Sequence, residues 1–419
     1  MKFLINLCIY FFSFIFSKFM IKKKFIEDLR LEGLKVLTRL DLNVPINKNS
    51  GIIDNTRIKS SLKTIRYIIE NGGKAVLISH LGRPDGQRVR SLSLKPIANE
   101  LTKSLGKNVI LAPDCIGEEV EKIVNRMKNG DVVLLENLRF HKAETNNEKD
   151  FCKKLSKLGD VFINDAFGVA HRSHASTAGV SKFILNSAIG YLIQKELHFL
   201  GKIVSNPVEP FLAILGGAKV ADKIGVIDKL LDKVQTLIIG GGMSCTFLKA
   251  QGFDIGNSLL EKDLLQFARE MIQKSKKKRV ELLLPNDAKI ANSFENNALT
   301  RTIKLTEGVP KGWMILDIGK STSDLFCKVV ANSKTILWNG PMGVFEMEKF
   351  CNGTFAIARS LAGETARGAL TIIGGGDSVA AINEYGLSKN ITHISTGGGA
   401  TLKFLEGNSL PGVISIVDA

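Results

Sequence analysis

Cysteine is scarce in this chain. The six thiols, Cys8, Cys115, Cys152, Cys245, Cys327 and Cys351, are scattered, with no C-x-x-C pair and no framework spacing. That excludes a disulfide-stapled scaffold and points to a reducing compartment, with the thiols buried or incidental. No H-E-x-x-H and no Cys/His cluster at metal-ligand spacing occurs, and the G-x-x-x-x-G-K-[ST] phosphate loop is missing. A clean G-x-G-x-x-G early in a βαβ unit, with an acid further on, is also missing, which argues against a nicotinamide dehydrogenase. No repeat of fixed short period stands out. Phenylalanine clusters in the leader and in apolar segments and does not alternate with Lys and Arg, so a single-strand nucleic-acid reader is disfavoured.

What is present is a chain of 419 residues, 44% hydrophobic and 23% charged, long enough for two or three folded domains. Lys and Arg outnumber Asp and Glu by 57 to 41, a formal charge of +16. Part of the excess is local: Lys2, Lys18, Lys22, Lys23 and Lys24 precede any acidic residue. The remainder favours anionic ligands. Residues 1–21 form an apolar, Phe-rich leader without a small-residue cleavage site, and Lys18 interrupts it before it reaches spanning length. The expectation is a cytoplasmic protein without stable membrane insertion, its leader either spurious before a start at Met20 or an address to a plastid-type organelle.

Short unalternated apolar runs recur at 36–42, 75–80, 109–111, 132–136 and 161–164, then at 211–215, 236–239, 281–284, 335–338, 370–373 and 391–395. Such runs suit strands buried on both faces. Between them lie helical stretches, such as Leu94, Ile97, Ala98, Leu101 and Leu105, spaced three and four apart. Alternating strand and helix predicts an α/β chain of two doubly wound parallel-sheet (Rossmann-like) domains of similar size, joined by a helical hinge. The expected divisions are a leader over 1–21, a first domain over 22–187 and a hinge helix with linker over 188–210. A second domain over 211–400 and a tail over 401–419 follow. Pro207 and Pro210 stop the hinge helix before the next strand.

In such sheets ligands bind beyond the carboxyl ends of the strands. The first half delivers charge there: Asp41 and Asn43, then Arg57, then His80 and Arg83, then Arg139, and finally His171 and Arg172. An isolated Arg after a strand is usually a solvated surface charge. Four separate strand ends sending a guanidinium or imidazole to one edge suit a small polyanion, because guanidinium forks match phosphate and carboxylate oxygens. The second half delivers glycine instead, at 216–217, 240–242, 340, 343, 374–376 and 397–399, with Lys219 and Lys223 one helical turn apart. Glycine at strand-to-helix turns lets backbone N–H groups approach phosphate oxygens. Asp377, closing a triple-glycine loop, has the chemistry of a magnesium ligand.

Taken together, the motifs RLDLNVP (39–45), SHLGRP (79–84), LLENLRF (134–140), INDAFGVAHRSHAS (163–176), LGGAKVADKI (215–224), IIGGGM (238–243), WNGPMGVFE (338–346), IIGGGDS (372–378) and STGGGA (395–400) resemble one family, phosphoglycerate kinase, over residues 22–419. The resemblance implies reversible, Mg2+-dependent phosphoryl transfer between 1,3-bisphosphoglycerate and ADP, giving 3-phosphoglycerate and ATP, by a monomer that binds no nucleic acid. It implies that Asp41, Asn43, His80, Arg83, Arg139 and Arg172 hold the phosphoglycerate, with Arg57 nearest the moving group. Lys219 would contact that group, Lys223 and Asn339 the nucleotide, and Glu346 the ribose. Gly375, Gly376, Asp377 and Ser378 would hold phosphates and magnesium, and the turn around Gly398 would offer backbone N–H groups near the transfer point. The family's tail returns to the first domain. This chain departs from the pattern at Ile315, where many relatives have Gly, and at Lys320, where Pro is frequent.

Overall fold

Val36, Leu37 and Leu40 in one strand and Ala75, Val76, Leu77 and Ile78 in the next are all fully buried, as strands covered on both faces require. The structure, a computed structural model, describes residues 23–47 and 51–419, so the leader expected over 1–21 lies outside the described residues. The chain divides into two compact units: Met1–Gly201 with Ser409–Ala419, and Lys202–Asn408. Among the described residues no helix is long and apolar enough to cross a membrane.

The strands of the first unit are β1 (Lys35–Leu40), β2 (Ile46–Asn47), β3 (Gly51–Ile52), β4 (Lys74–Ile78), β5 (Val109–Leu111), β6 (Val132–Leu134), β7 (Val161–Asp165) and β8 (Ser187–Ile189). Six of them form one sheet in the order β5-β6-β4-β1-β7-β8, and every pairing in it is parallel. The short β2 and β3 form a separate antiparallel hairpin. Ile58, Ile65 and Ile68 recur at helical spacing in the helix Thr56–Glu70, and with Ile97 and Leu101 of Lys95–Leu105 they cover one sheet face. The tail closes this unit's edge: Gly412 N–H donates to Ala170 O at 2.8 Å, and the buried Lys23 ammonium pairs with Asp418 at 2.9 Å.

The second unit carries β9 (Phe211–Leu215), β10 (Thr236–Ile239), β11 (Glu281–Leu283), β12 (Asp287–Ala291), β13 (Thr300–Lys304), β14 (Met314–Ile318), β15 (Thr335–Asn339), β16 (Leu370–Gly374) and β17 (His393–Ile394). The parallel sheet runs β11-β10-β9-β15-β16-β17, so the strand order reverses between β9 and β15. That reversal is the point where a doubly wound sheet opens a crevice.

The expected fold class, two doubly wound parallel sheets, is the fold observed. Three elements differ from expectation. β12, β13 and β14 form an additional antiparallel sheet; β13 (Thr300–Lys304) is largely exposed and polar, and β12 and β14 each carry an Asp (Asp287, Asp317) that breaks the apolar run. The stretch expected as helix from 188 begins as strand β8, and the helix spans Tyr191–Ser205, because Asp165 caps its N-terminus by accepting from Leu192 N–H and Ile193 N–H. Residues 401–408 group with the second unit, since Ala400, Thr401, Phe404 and Leu405 of the helix Gly399–Leu405 are buried there; only Ser409–Ala419 groups with the first.

Candidate active site

At the carboxyl edge of the first sheet the charged side chains converge. Asp41 and Asn43 leave β1, and Arg57 sits in the first turn of Thr56–Glu70. The carboxylate of Asp54 starts that helix by accepting from the N–H and hydroxyl of Thr56, at 2.8 and 2.6 Å. Arg57 Nη1 donates to both oxygens of the buried Asp41 carboxylate at 3.1 and 3.0 Å, and to Asn43 O at 3.1 Å. Asn43 Oδ1 accepts from Gly82 N–H at 2.9 Å, while Arg139 Nη1 donates to Gly82 O at 2.7 Å. One residue, Gly82, thus ties the loop after β1 to the turn after β6. Arg172 Nε meets His171 Nε2 at 3.3 Å.

His80 is buried behind this cluster, and burial with the surrounding guanidinium groups of Arg39, Arg139, Arg57 and Arg172 holds its pKa well below the ordinary imidazole value. Burial, then the neighbouring Arg39 and Arg172, lowers even Arg139 to about 10. Cations placed this close repel one another, and an anion among them relieves the repulsion. Asp41, Asn43, Arg57, His80, Arg139 and Arg172 are therefore brought together. Arg83 lies exposed on the loop after β4.

Sequence reasoning missed Arg39. It lies within β1 and is almost wholly buried; Nε donates to Ser176 Oγ at 2.8 Å and Nη2 meets His80 Nδ1 at 3.1 Å. Glu144, equally buried, accepts from Ser176 N–H and Oγ and supplies countercharge to Arg39. The signal was a lone arginine inside an otherwise apolar strand, a position costly to fill unless paired.

The second unit holds a cavity of about 390 Å3 at the reversal between β9 and β15, with Lys219, Lys223, Asn339, Gly375, Gly376, Asp377, Ser378 and Gly398 in its wall. Close backbone packing builds its floor. Gly340 has φ +101°, and a Cβ there would stand 2.2 Å from Gly216 O. Gly340 N–H donates to Ser378 Oγ at 2.6 Å, which fastens this loop to the helix Gly376–Glu384. At Gly398, with φ +51°, a Cβ would meet only open space, so the opening over the loop is left for a ligand.

Lys223 is buried, and burial lowers its pKa while Asp222, Asp377 and Glu261 oppose the shift. Lys219 and Asp377 are exposed to the cavity. Asn339 Nδ2 is buried in the wall without a hydrogen-bond partner, a donor that calls for a ligand acceptor. Asp222, another wall residue, was not anticipated from sequence, because an acid between two lysines reads as a solvated helix face. Glu346 is exposed and does not line this cavity, and neither do Ile315 and Lys320.

Residues 26–408 match the family model described as phosphoglycerate kinase. The chain belongs to the phosphoglycerate kinase family. It is 52% identical over 398 residues to the phosphoglycerate kinase of Chloroherpeton thalassium, covering 95% of this chain and all of that one. With the phosphoglycerate kinase of Clostridium tetani it shares 54% identity over 398 residues, covering 94% and 98%. Among solved structures, phosphoglycerate kinase from Coxiella burnetii superposes with a TM-score of 0.83 at 38% identity, covering 94% of this chain and 98% of that one. The phosphoglycerate kinase of Pyrococcus horikoshii gives a TM-score of 0.82 at 33% identity, with the same coverage. The family makes this chain a carboxyl-acceptor phosphotransferase that uses a magnesium nucleotide.

Proposed function

We propose that the basic cluster of the first unit holds the phosphoglycerate and that the cavity of the second holds the magnesium nucleotide. The reaction is the family's: reversible phosphoryl transfer between 1,3-bisphosphoglycerate and ADP, giving 3-phosphoglycerate and ATP. The observation that carries the assignment of sites is their difference in charge. Arg57, Arg139 and Arg172, with Arg39 behind them, outnumber the two carboxylates among them, Asp41 on Arg57 and Glu144 beside Arg39. In the cavity Lys219 and Lys223 are matched by Asp222 and Asp377, so a polyphosphate needs an added cation.

The residues fit that cation and its nucleotide: the unpartnered Asn339 donor and the open space over Gly398 accommodate phosphate oxygens, and Asp377 offers a carboxylate for magnesium. Magnesium, when bound, neutralises charge on the phosphates. The chain's own residues do the rest. All the described side-chain hydrogen bonds of Arg57 run through Nη1, which leaves Nη2 and Nε for the moving phosphoryl group. Lys219, Gly376 and Gly398 meet that group from the nucleotide side. His80, neutral and accepting from Arg39 at Nδ1, keeps its Nε2–H to donate to substrate. No general base is required, since the attacking carboxylate is ionised at neutral pH. Glu346 contacts the ribose in this assignment.

The division of labour follows: residues 22–187 bind phosphoglycerate, 211–400 bind nucleotide, and 188–210 serve as hinge, whose closure shields the acyl phosphate from water. We place the enzyme in the cytoplasm as a monomer, to be checked by fractionation and analytical ultracentrifugation. The test of the reaction and sites is ADP formation from ATP, magnesium and 3-phosphoglycerate by a chain begun at Met20. Activity that collapses in both Arg57→Ala and Lys219→Ala supports the assignment. A folded parent without activity sinks it.

A further inference from the structure

At the carboxyl edge of the first sheet, but outside the residues assigned to the basic cluster, Asp114, Cys115 and His141 meet. β5 and β6 pair in parallel with Leu111 opposite Leu134, so the chain leaving each strand runs beside the other. Asp114 and Cys115 lie just after β5, and His141 follows the turn Leu138–Phe140 after β6. His141 Nε2 stands 2.6 Å from Asp114 Oδ1, and Cys115 N–H donates to the same oxygen at 2.7 Å. The Cys115 thiol, the carboxylate and an imidazole nitrogen each offer an atom within 4.8 Å of the others. The thiol is fully buried, whereas the side chains of Asp114 and His141 are 33% and 27% exposed, so the group opens outward.

We propose that Asp114, Cys115 and His141 form a binding site for Zn2+, with water as the fourth ligand. One sulfur, one nitrogen and one oxygen donor is a set that zinc accepts and magnesium does not. Thiolate and carboxylate together neutralise the dication. Binding forms Zn–S, Zn–N and Zn–O bonds. The Cys115 proton passes to solvent, and the neutral imidazole carries its proton on Nδ1, freeing the Nε2 lone pair. With metal–ligand distances of about 2.0–2.3 Å, the His141–Asp114 pair has to open by several tenths of an ångström, which two partly exposed side chains can do by rotation. The Arg88 guanidinium faces Asp114 and opposes the metal; burial, with the nearby Asp114 and Glu144 charges, holds the Cys115 thiol protonated until a cation displaces its proton. The Phe151 ring packs on His141, with centroids 5.3 Å apart, and steadies the imidazole.

The test uses the full chain, reduced and stripped of metal, with no nucleotide present, so that Asp377 has no phosphate oxygens with which to share an ion. Co2+ is titrated in and then displaced by Zn2+. The expected result is a near-ultraviolet thiolate-to-cobalt band with tetrahedral visible bands, saturating at one ion per chain and bleached by zinc. Calorimetry of Zn2+ binding at pH 8 in two buffers of different ionisation enthalpy should show one proton released. Cys115→Ser should abolish the ultraviolet band, and Asp114→Asn and His141→Gln should each weaken binding at least tenfold. No saturable band, or a band that survives Cys115→Ser, overturns the site. If Cys115→Ser does not fold, the partly exposed His141→Gln decides, and unchanged affinity in that variant overturns it equally.

Discussion

Arg57 reaches both oxygens of Asp41 through a single nitrogen, Nη1, at 3.1 and 3.0 Å, and leaves the other edge of its guanidinium uncommitted. Asp41 is thus an anchor for a cation that works elsewhere. The pair is unequal in exposure, the Asp41 side chain at 5% and that of Arg57 at 34%, as an anchor and a working group should be.

Removing the working group and removing the anchor should therefore differ. Arg57→Ala is expected to lower kcat by about 10²–10³, the loss typical of a transition-state donor. Arg57→Lys should not restore it, since an ammonium cannot bridge to Asp41 and still offer a planar edge. Asp41→Ala should raise the KM for 3-phosphoglycerate more than it lowers kcat. Steady-state kinetics of the three variants check this, and equal kcat losses in Arg57→Ala and Asp41→Ala would contradict it.

In the nucleotide cavity, Lys223→Met removes a buried cation and should weaken ATP binding by about ten- to a hundredfold, the worth of a charge-assisted bond. Asp377→Asn should move the magnesium dependence of activity to higher concentration while leaving the KM for 3-phosphoglycerate alone. Magnesium titrations at fixed ATP distinguish the two. An unchanged magnesium midpoint in Asp377→Asn would remove Asp377 from the metal.

Gly340→Ala combines a positive φ with a Cβ 2.2 Å from Gly216 O, two backbone segments that cannot both yield. Nucleotide affinity should fall and stability should drop by at least about 1–3 kcal/mol, measured by calorimetry and urea unfolding. A variant as stable as the parent would show that the β9 and β15 loops can part without cost.

Asp165 supplies a pH dependence. Its carboxyl is fully buried, and burial pushes its pKa up to about 7 despite hydrogen bonds from Thr64 Oγ1, Ile193 N–H and Leu192 N–H. A raised acid contributes stability that is fully present below its unfolded pKa and lost as pH rises through the folded one. The stability margin of the parent over Asp165→Asn should therefore shrink between pH 5 and pH 8 in urea unfolding. A margin that grows with pH would reverse the sign.

Much of the fold was legible because its strands are buried on both faces, and continuous apolar runs such as Phe211–Leu215 announce themselves. The β12–β14 sheet was not, because a strand like Thr300–Lys304, with charged and polar side chains exposed, has no such mark. The candidate site was legible where function needs a charged residue or a glycine just after a strand. It was illegible where the charge hides inside one, as Arg39 does, or where the partner lies far along the chain, as Glu144 and Ser176 do for Arg39.

By itself the sequence determined the two-sheet α/β class, the family, and the sorting of guanidinium groups to one half and glycines with lysines to the other. These are written in local patterns, and local patterns need no neighbour to be read. Only the tertiary structure decided which residues touch. It set Arg57 on Asp41, turned His80 toward Arg39, left Asn339 facing the cavity without a partner, and carried His141 to Asp114 and Cys115 from a distant stretch of chain. Those contacts arise from strand order, and parallel pairing joins segments that no spacing in the sequence connects.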